Sequence, residues 1–146
     1  MSAESPTSCV HATTIAIDGQ GVMLTGPSGA GKSDLALRLI DRGALLVSDD
    51  YTDLVRAGDA VIASPPPTIA GKIEIRGLGI VERAFAASTP VKLVVSLGDE
   101  VDRMPEARWR MIAGLRVREV VIDPRPPSAP IKVEATLRQI IAEVDA

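Results

Sequence analysis

The 146 residues carry sixteen Lys and Arg against nineteen Asp and Glu, a formal net charge of −3, with 46% apolar residues and only three aromatics, Tyr51, Phe85 and Trp109. That length holds one domain around one hydrophobic core, and the composition excludes a disordered chain. The slight acidity lacks the basic footprint of a non-specific nucleic-acid binder, so no nucleic-acid partner is expected.

Residues 1–10 are rich in Ser, Thr and small side chains and read as a flexible tail ahead of a domain spanning residues 11–146. They lack the basic start and apolar run of a signal peptide. The chain nowhere approaches the ~18 consecutive apolar residues of a membrane span, so a cytoplasmic location without a membrane partner is expected. Cys9, the single cysteine, excludes an internal disulfide and a cysteine zinc cluster. His11 is the single histidine; taken alone, it reads more readily as a surface or packed side chain than as a catalytic one.

Two β-type runs, 13–17 and 22–25, flank Asp18-Gly19-Gln20-Gly21, whose glycines predict a tight hairpin turn. The second run ends in Gly26-Pro27-Ser28-Gly29-Ala30-Gly31-Lys32-Ser33. Leu35, Ala36, Leu39 and Ile40 then recur at helical spacing, and Gly43 stops the helix. Leu45-Leu46-Val47 is a short buried strand that delivers Ser48-Asp49-Asp50 at its C-terminal end. A meander follows, 52–56 and 60–63 around Ala57-Gly58-Asp59, and Pro65-Pro66-Pro67 interrupts it. Residues 73–81, Ile-Glu-Ile-Arg-Gly-Leu-Gly-Ile-Val, read as a strand running into a special turn. Residues 91–97 form a core strand, 105–113 are predicted helical, and 117–122 are a strand. The run from Asp123 to Pro130, with four prolines, makes a loop. Val133, Leu137, Ile140, Ile141 and Val144 repeat at helical spacing in a C-terminal helix. The fold class expected is α/β, a single P-loop-containing domain with a mixed central sheet and flanking helices.

Gly26 to Ser33 is G-x-x-x-x-G-K-S, the Walker A phosphate loop, with a strand before it and a helix after it. Gly26, Gly29 and Gly31 let backbone N–H groups turn inward around phosphate oxygens, and the helix N-terminus adds partial positive charge. Lys32 brings a full charge to the β- and γ-phosphates, and Ser33 can hold Mg²⁺. The whole run, with Pro27, Ser28 and Ala30, is the candidate nucleotide site, with ATP and Mg²⁺ as its ligands. Asp49 and Asp50 close the next strand, where an open α/β sheet presents its ligand groups. One carboxylate can complete the metal shell while the other accepts a proton from a hydroxyl nucleophile; a helix cap or solvated turn is the plainer alternative. Glu74 and Arg76 share one strand face by the two-residue period, which an alternating-charge edge strand explains equally well.

Together, His11, the P-loop, Leu46-Val47-Ser48-Asp49-Asp50 and Ile73-Glu74-Ile75-Arg76-Gly77-Leu78-Gly79-Ile80 resemble the catalytic domain of the bacterial HPr kinase/phosphorylase family. The similarity runs from about His11 to the C-terminal helix. The 73–80 segment is its specific part, since many families share the P-loop. The resemblance implies an ATP- and Mg²⁺-dependent kinase that phosphorylates a serine of HPr, a small phosphocarrier protein of the phosphotransferase system, and can reverse the reaction by phosphorolysis to pyrophosphate. It implies Lys32 as the phosphate lysine, Ser33 as the Mg²⁺-binding serine and Asp50 as the catalytic aspartate. Glu74 becomes a second metal carboxylate beside Asp49, and His11 the histidine ahead of the P-loop. Arg103, in Asp102-Arg103-Met104-Pro105, is matched to a catalytic arginine.

Two departures accompany the likeness. The family's N-terminal domain has no counterpart here, so the chain is expected to be a short form, and the family's hexamer is not carried over; a homo-oligomer is left open. The family's P-V-x-x-G-R-N stretch, tied to phosphorolysis, is replaced by Pro130-Ile131-Lys132-Val133-Glu134-Ala135-Thr136, which loses Gly-Arg-Asn and adds the negative Glu134. Forward transfer is therefore expected to exceed reversal. The competing readings are a P-loop kinase of a small metabolite and a nucleotide-sensing regulatory module without turnover. Against the first stands the lack of an arginine-rich lid insertion; against the second, the retained Asp49-Asp50. No N-K-x-D motif supports a GTPase.

Overall fold

The computed structural model describes residues 8–145; the first seven residues of the expected tail lie outside it. Ser8–Val10, assigned to the tail on composition, already belong to β1 (Ser8–Ile17), because their backbone pairs with β4 (Tyr51–Ala57). β1 turns through Asp18 and Gly19, at φ 50° and 77°, into β2 (Gln20–Thr25). Two successive positive φ values are what a two-residue hairpin matched to strand twist requires. The remaining elements are α1 (Lys32–Asp41), β3 (Leu45–Ser48), β5 (Ala60–Ser64), a 3-10 turn at Pro67–Ile69, β6 (Lys72–Ile75), β7 (Gly79–Glu82), β8 (Thr89–Leu97), β9 (Arg108–Ile112), β10 (Leu115–Ile122) and α2 (Ala129–Asp145).

Eight strands form one sheet in the order β2-β1-β4-β5-β8-β10-β9, with β3 added to β1 and β2 paired back onto β8. The sheet is mixed: β2–β8 and β8–β10 are parallel, and the other pairs are antiparallel. Because β1 and β8 each pair on both layers, the sheet folds over and buries two apolar clusters. Ile15, Val22, Leu24, Leu93 and Val95 pack against Leu35, Ala36 and Leu39 of α1 and Val133, Leu137 and Ile140 of α2. The alternate residues Ala16, Met23 and Val94 meet Leu54, Val61 and Ala63 of β4 and β5. Side chains of a strand alternate between faces, so one run of sequence supplies both clusters. Val144's side chain lies outside the described residues. No helix among the described residues is long and apolar enough to cross a membrane.

Parallel pairing places the site. Thr25 lies opposite Ser96, and Leu97 opposite Ile122, so the P-loop and the segments after β8 and β10 all leave from one edge of the sheet. Residues 108–112 depart from the predicted helix: they form β9, hairpinned to β10 through Ala113 and Gly114 at φ 52° and 82°. Cross-strand chemistry favours this arrangement. The Trp109 ring lies 4.2 Å from the Arg116 guanidinium and 5.1 Å from that of Arg118, and Arg110 pairs with Glu119. β6 stops at Ile75 and Arg76 opens the turn to β7, so Glu74 and Arg76 do not share a strand face as their spacing predicts. α2 starts at Ala129, with Pro130 in the first turn, where its missing N–H costs no helical hydrogen bond.

Candidate nucleotide site

The P-loop runs from the end of β2 into α1. Gly31, at φ 103°, is the left-handed N-cap residue of the helix, a conformation in which a side chain would be strained. Gly26 is needed for space as well: a Cβ there would sit 3.1 Å from the Ala30 Cβ. The Lys32 ammonium donates to the carbonyls of Gly26 (2.7 Å) and Pro27 (3.0 Å), and Lys32 is only 6% exposed. An ammonium has three protons, so one is left for a phosphate oxygen.

The two adjacent aspartates part company at the end of β3. Asp49 is buried and both of its oxygens are engaged. Oδ1 accepts from the Ser33 hydroxyl (2.6 Å) and the Thr13 hydroxyl (3.1 Å), and Oδ2 accepts from the Glu74 backbone N–H (2.9 Å). Asp50 sits at φ 69°, a region that Asp enters more readily than most residues, and its side chain is turned out to the groove. Its N–H donates to Thr13 Oγ1 (3.0 Å), and its Oδ1 lies 2.8 Å from His11 Nε2. The His11 ring in turn lies 5.3 Å from the Tyr51 ring.

These groups face a groove of about 740 Å³ whose walls include Ser28, Gly29, Lys32, Ser33, Asp50, Glu74, Arg76 and Gly77. The volume falls in the range of nucleotide and cofactor sites. On its far side the β6–β7 hairpin carries Leu78 and Ile80, 75% and 71% exposed. The donor set fits Mg²⁺ bound together with phosphates: a serine hydroxyl and the carboxylates of Asp50 and Glu74 are hard oxygens, and Mg²⁺ takes few protein ligands and keeps its waters. An all-protein cage is a different matter, since no cluster of three or more acidic, histidine or cysteine side chains able to hold a metal occurs among the described residues.

The structure thus brings His11, the P-loop, Asp49, Asp50 and Glu74 together. Asp49, expected as a metal ligand, uses both oxygens as hydrogen-bond acceptors and is joined to Ser33 through Oδ1. Arg103 lies on the exposed segment after β8, off the groove wall; Arg76 is the arginine that lines it. Glu134 is drawn to Arg42, with contacts of 2.8–3.0 Å, because the last turn of α1 approaches α2 there. Beside Gly31, the loop after β10 is pinned by Arg38, which donates to Pro124 O (2.6 Å) and Pro126 O (3.3 Å). Within that loop the Arg125 guanidinium and backbone N–H hold the Asp123 carboxyl down at about 2. Sequence reasoning missed Thr13. The signal available was its position two residues after His11, hence on the same side of β1.

The family described as HPr Serine kinase C-terminal domain matches residues 3–142. An HPr kinase/phosphorylase of Burkholderia lata is 37% identical over 96% of this chain and 48% of its own length, and one of Burkholderia cenocepacia is 36% identical over the same shares. The chain spans about half the length of the curated relatives it matches. The solved structure of the Hpr(Ser) kinase/phosphatase from Coxiella burnetii matches with a TM-score of 0.83 at 31% identity, over 95% of this chain and 99% of that one.

Proposed function

The chain belongs to the HPr serine kinase C-terminal domain family, and on that premise we propose that it transfers the γ-phosphate of ATP to a serine of an HPr-type phosphocarrier protein. The observation that carries this reading is the convergence of Lys32, Ser33 and the His11–Asp50 pair on one groove.

Phosphoryl transfer asks a protein mainly for positioning and charge. The P-loop backbone and Lys32 hold the β- and γ-phosphates. Ser33 and Glu74 hold Mg²⁺, which when bound offsets the charge on those phosphates. Asp50 accepts the proton of the acceptor serine as the serine oxygen bonds to the γ-phosphorus. The bond from that phosphorus to the β–γ bridging oxygen breaks, and ADP leaves. His11 keeps the Asp50 carboxylate at the mouth of the groove, and Arg76 adds positive charge to its wall. In phosphorolysis, the same Asp50 returns the proton to the serine oxygen.

A protein acceptor suits the groove better than a small metabolite does. The exposed Leu78 and Ile80 beside it offer apolar surface that a metabolite would leave wet. The reading takes the reaction to be cytoplasmic, where ATP is available. Incubation with γ-labelled ATP, Mg²⁺ and a purified HPr-type protein tests it. Label on an HPr serine is the expected result. Label confined to a small molecule, or nucleotide binding without any transfer, would replace this reading with one of its two competitors.

A further inference from the structure

We infer that Thr13 is a positioning residue that sets both aspartates of the site through a single hydroxyl. This inference rests on the phosphoryl-transfer reading above. Thr13 is fully buried on β1, and its Oγ1 is used twice: it donates to Asp49 Oδ1 (3.1 Å) and accepts from the Asp50 N–H (3.0 Å).

Each contact controls a different reacting group. Asp49 Oδ1 also takes the Ser33 proton at 2.6 Å, which leaves the lone pairs of that serine oxygen free for a cation. The Asp50 N–H belongs to a residue at φ 69°, and the bond to Thr13 gives this unusual backbone a fixed partner. His11, two residues earlier on β1, reaches the Asp50 side chain at 2.8 Å. One strand therefore holds the proton acceptor by its backbone and by its carboxylate. A valine at position 13 would keep the shape, leave the Asp50 N–H unpaired and remove one donor from Asp49.

Thr14 supplies the internal control. It is equally buried, and its Oγ1 lies 2.9 Å from that of Thr52, whose hydroxyl also donates to Ala12 O; none of these atoms touches the site.

The test uses the whole chain carrying Thr13→Val, Thr13→Ser or Thr14→Val. It measures the melting temperature, the Kd for ATP with and without Mg²⁺, and kcat with an HPr-type acceptor. Thr13→Val is expected to bind metal-free ATP within ~3-fold of the parent but to lose ~10-fold of the gain in affinity that Mg²⁺ brings, and kcat should fall ~10–100-fold, the usual effect of removing a group that orients a ligating side chain. Thr13→Ser should restore both, whereas Thr14→Val should change only the melting temperature. The inference is overturned if Thr13→Val keeps the Mg²⁺ gain and kcat, if Thr13→Ser is as impaired as Thr13→Val, or if Thr14→Val shows the same losses. Thr13→Ala takes the place of Thr13→Val if the latter does not fold. Should the parent bind MgATP yet label no acceptor, the kinase reading fails on its own, and the Mg²⁺ gain still decides the role of Thr13.

Discussion

The imidazole of His11 and the carboxylate of Asp50 meet at 2.8 Å across 39 positions of sequence, because β1 and β4 pair antiparallel with His11 opposite Tyr51. The contact is partly open, with side-chain exposures of 37% and 56%, so a substrate hydroxyl can reach the carboxylate. Asp49, one residue earlier, is buried under three donors. One aspartate is thus open to the groove and the other is fully engaged by its neighbours.

Asp50→Asn should therefore bind MgATP about as well as the parent yet transfer phosphate ~10²–10⁴-fold more slowly, the range general-base help commonly spans. His11→Ala, which leaves the carboxylate but frees its orientation, should cost less than Asp50→Asn. Single-turnover transfer rates together with nucleotide titration check both. Near-parent transfer in Asp50→Asn with loss in Asp49→Asn would reverse the assignment of the two aspartates.

Lys32→Ala removes the charge proposed to meet the phosphates and also the bridge between the Gly26 and Pro27 carbonyls. Turnover should drop by at least ~10²-fold, as when a preorganised donor to a charged transition state is lost. ATP affinity measured by calorimetry should weaken in the same variant. Unaltered kinetics would remove the P-loop assignment.

Much of this site is legible in the sequence because its chemistry is local. The eight-residue loop, its flanking strand and helix, and the aspartate pair sit within 31 positions of one another, Gln20 to Asp50. Glu74 and His11 become visible only through family likeness, since nothing local shows that β6 and β1 converge on β3. What escapes the sequence is long-range pairing. Residues 105–113 offer helix-like spacing, whereas the Ala113-Gly114 turn and the stacking of Trp109 with Arg116 fix a hairpin. The different surroundings of Asp49 and Asp50 depend on the bend between β3 and β4, where Asp50 takes φ 69°, a matter of backbone geometry that two identical letters cannot express. Thr13 is hidden for the same reason, since a threonine in a strand looks like ordinary β-propensity until its partners are known.

Glu74→Gln changes charge alone, because the bond from residue 74 to Asp49 is made by the backbone N–H. The Mg²⁺ concentration for half-maximal transfer should rise ~10-fold, while affinity for metal-free ATP should be unchanged. An unshifted metal titration would leave Glu74 as nothing more than a residue of the hairpin.

Gly21→Ala probes the fold away from the chemistry. A Cβ at Gly21 would lie 2.7 Å from both Pro90 O and Thr89 Cγ2, where β2 meets β8. The backbone carbonyl cannot yield without shifting the strand that carries the P-loop, so the variant should lose ~1–3 kcal/mol by overpacking. Gly98→Ala, whose Cβ would make only an ordinary 3.7 Å contact with Val121, should stay within ~0.5 kcal/mol. Urea midpoints of the two variants separate these outcomes.

Phosphorolysis would seat inorganic phosphate beside a phosphoserine that already carries nearly two negative charges, and such crowding calls for added positive charge. Glu134 does not aggravate the problem: Arg42 holds it one residue past the end of α1, ~15 Å of helix from Lys32. The difficulty lies rather with the arginine of the loop after β10. Arg125, on the loop beside the P-loop, is bound by Asp123 at 2.9 Å and lies 3.9 Å from Asp99. With its carboxyl held down at about 2 by the Arg125 hydrogen bonds, Asp123 is ionised across the neutral range and keeps Arg125 paired. Forward transfer should therefore exceed phosphorolysis ~10–100-fold, the equivalent of one missing charge-assisted hydrogen bond. Asp123→Asn, which releases Arg125, should narrow that gap. Pyrophosphate release from phosphoserine-HPr with Mg²⁺ and millimolar phosphate measures it. A parent rate equal to forward transfer would show that another group, with Arg76 on the groove wall the nearest candidate, supplies the charge.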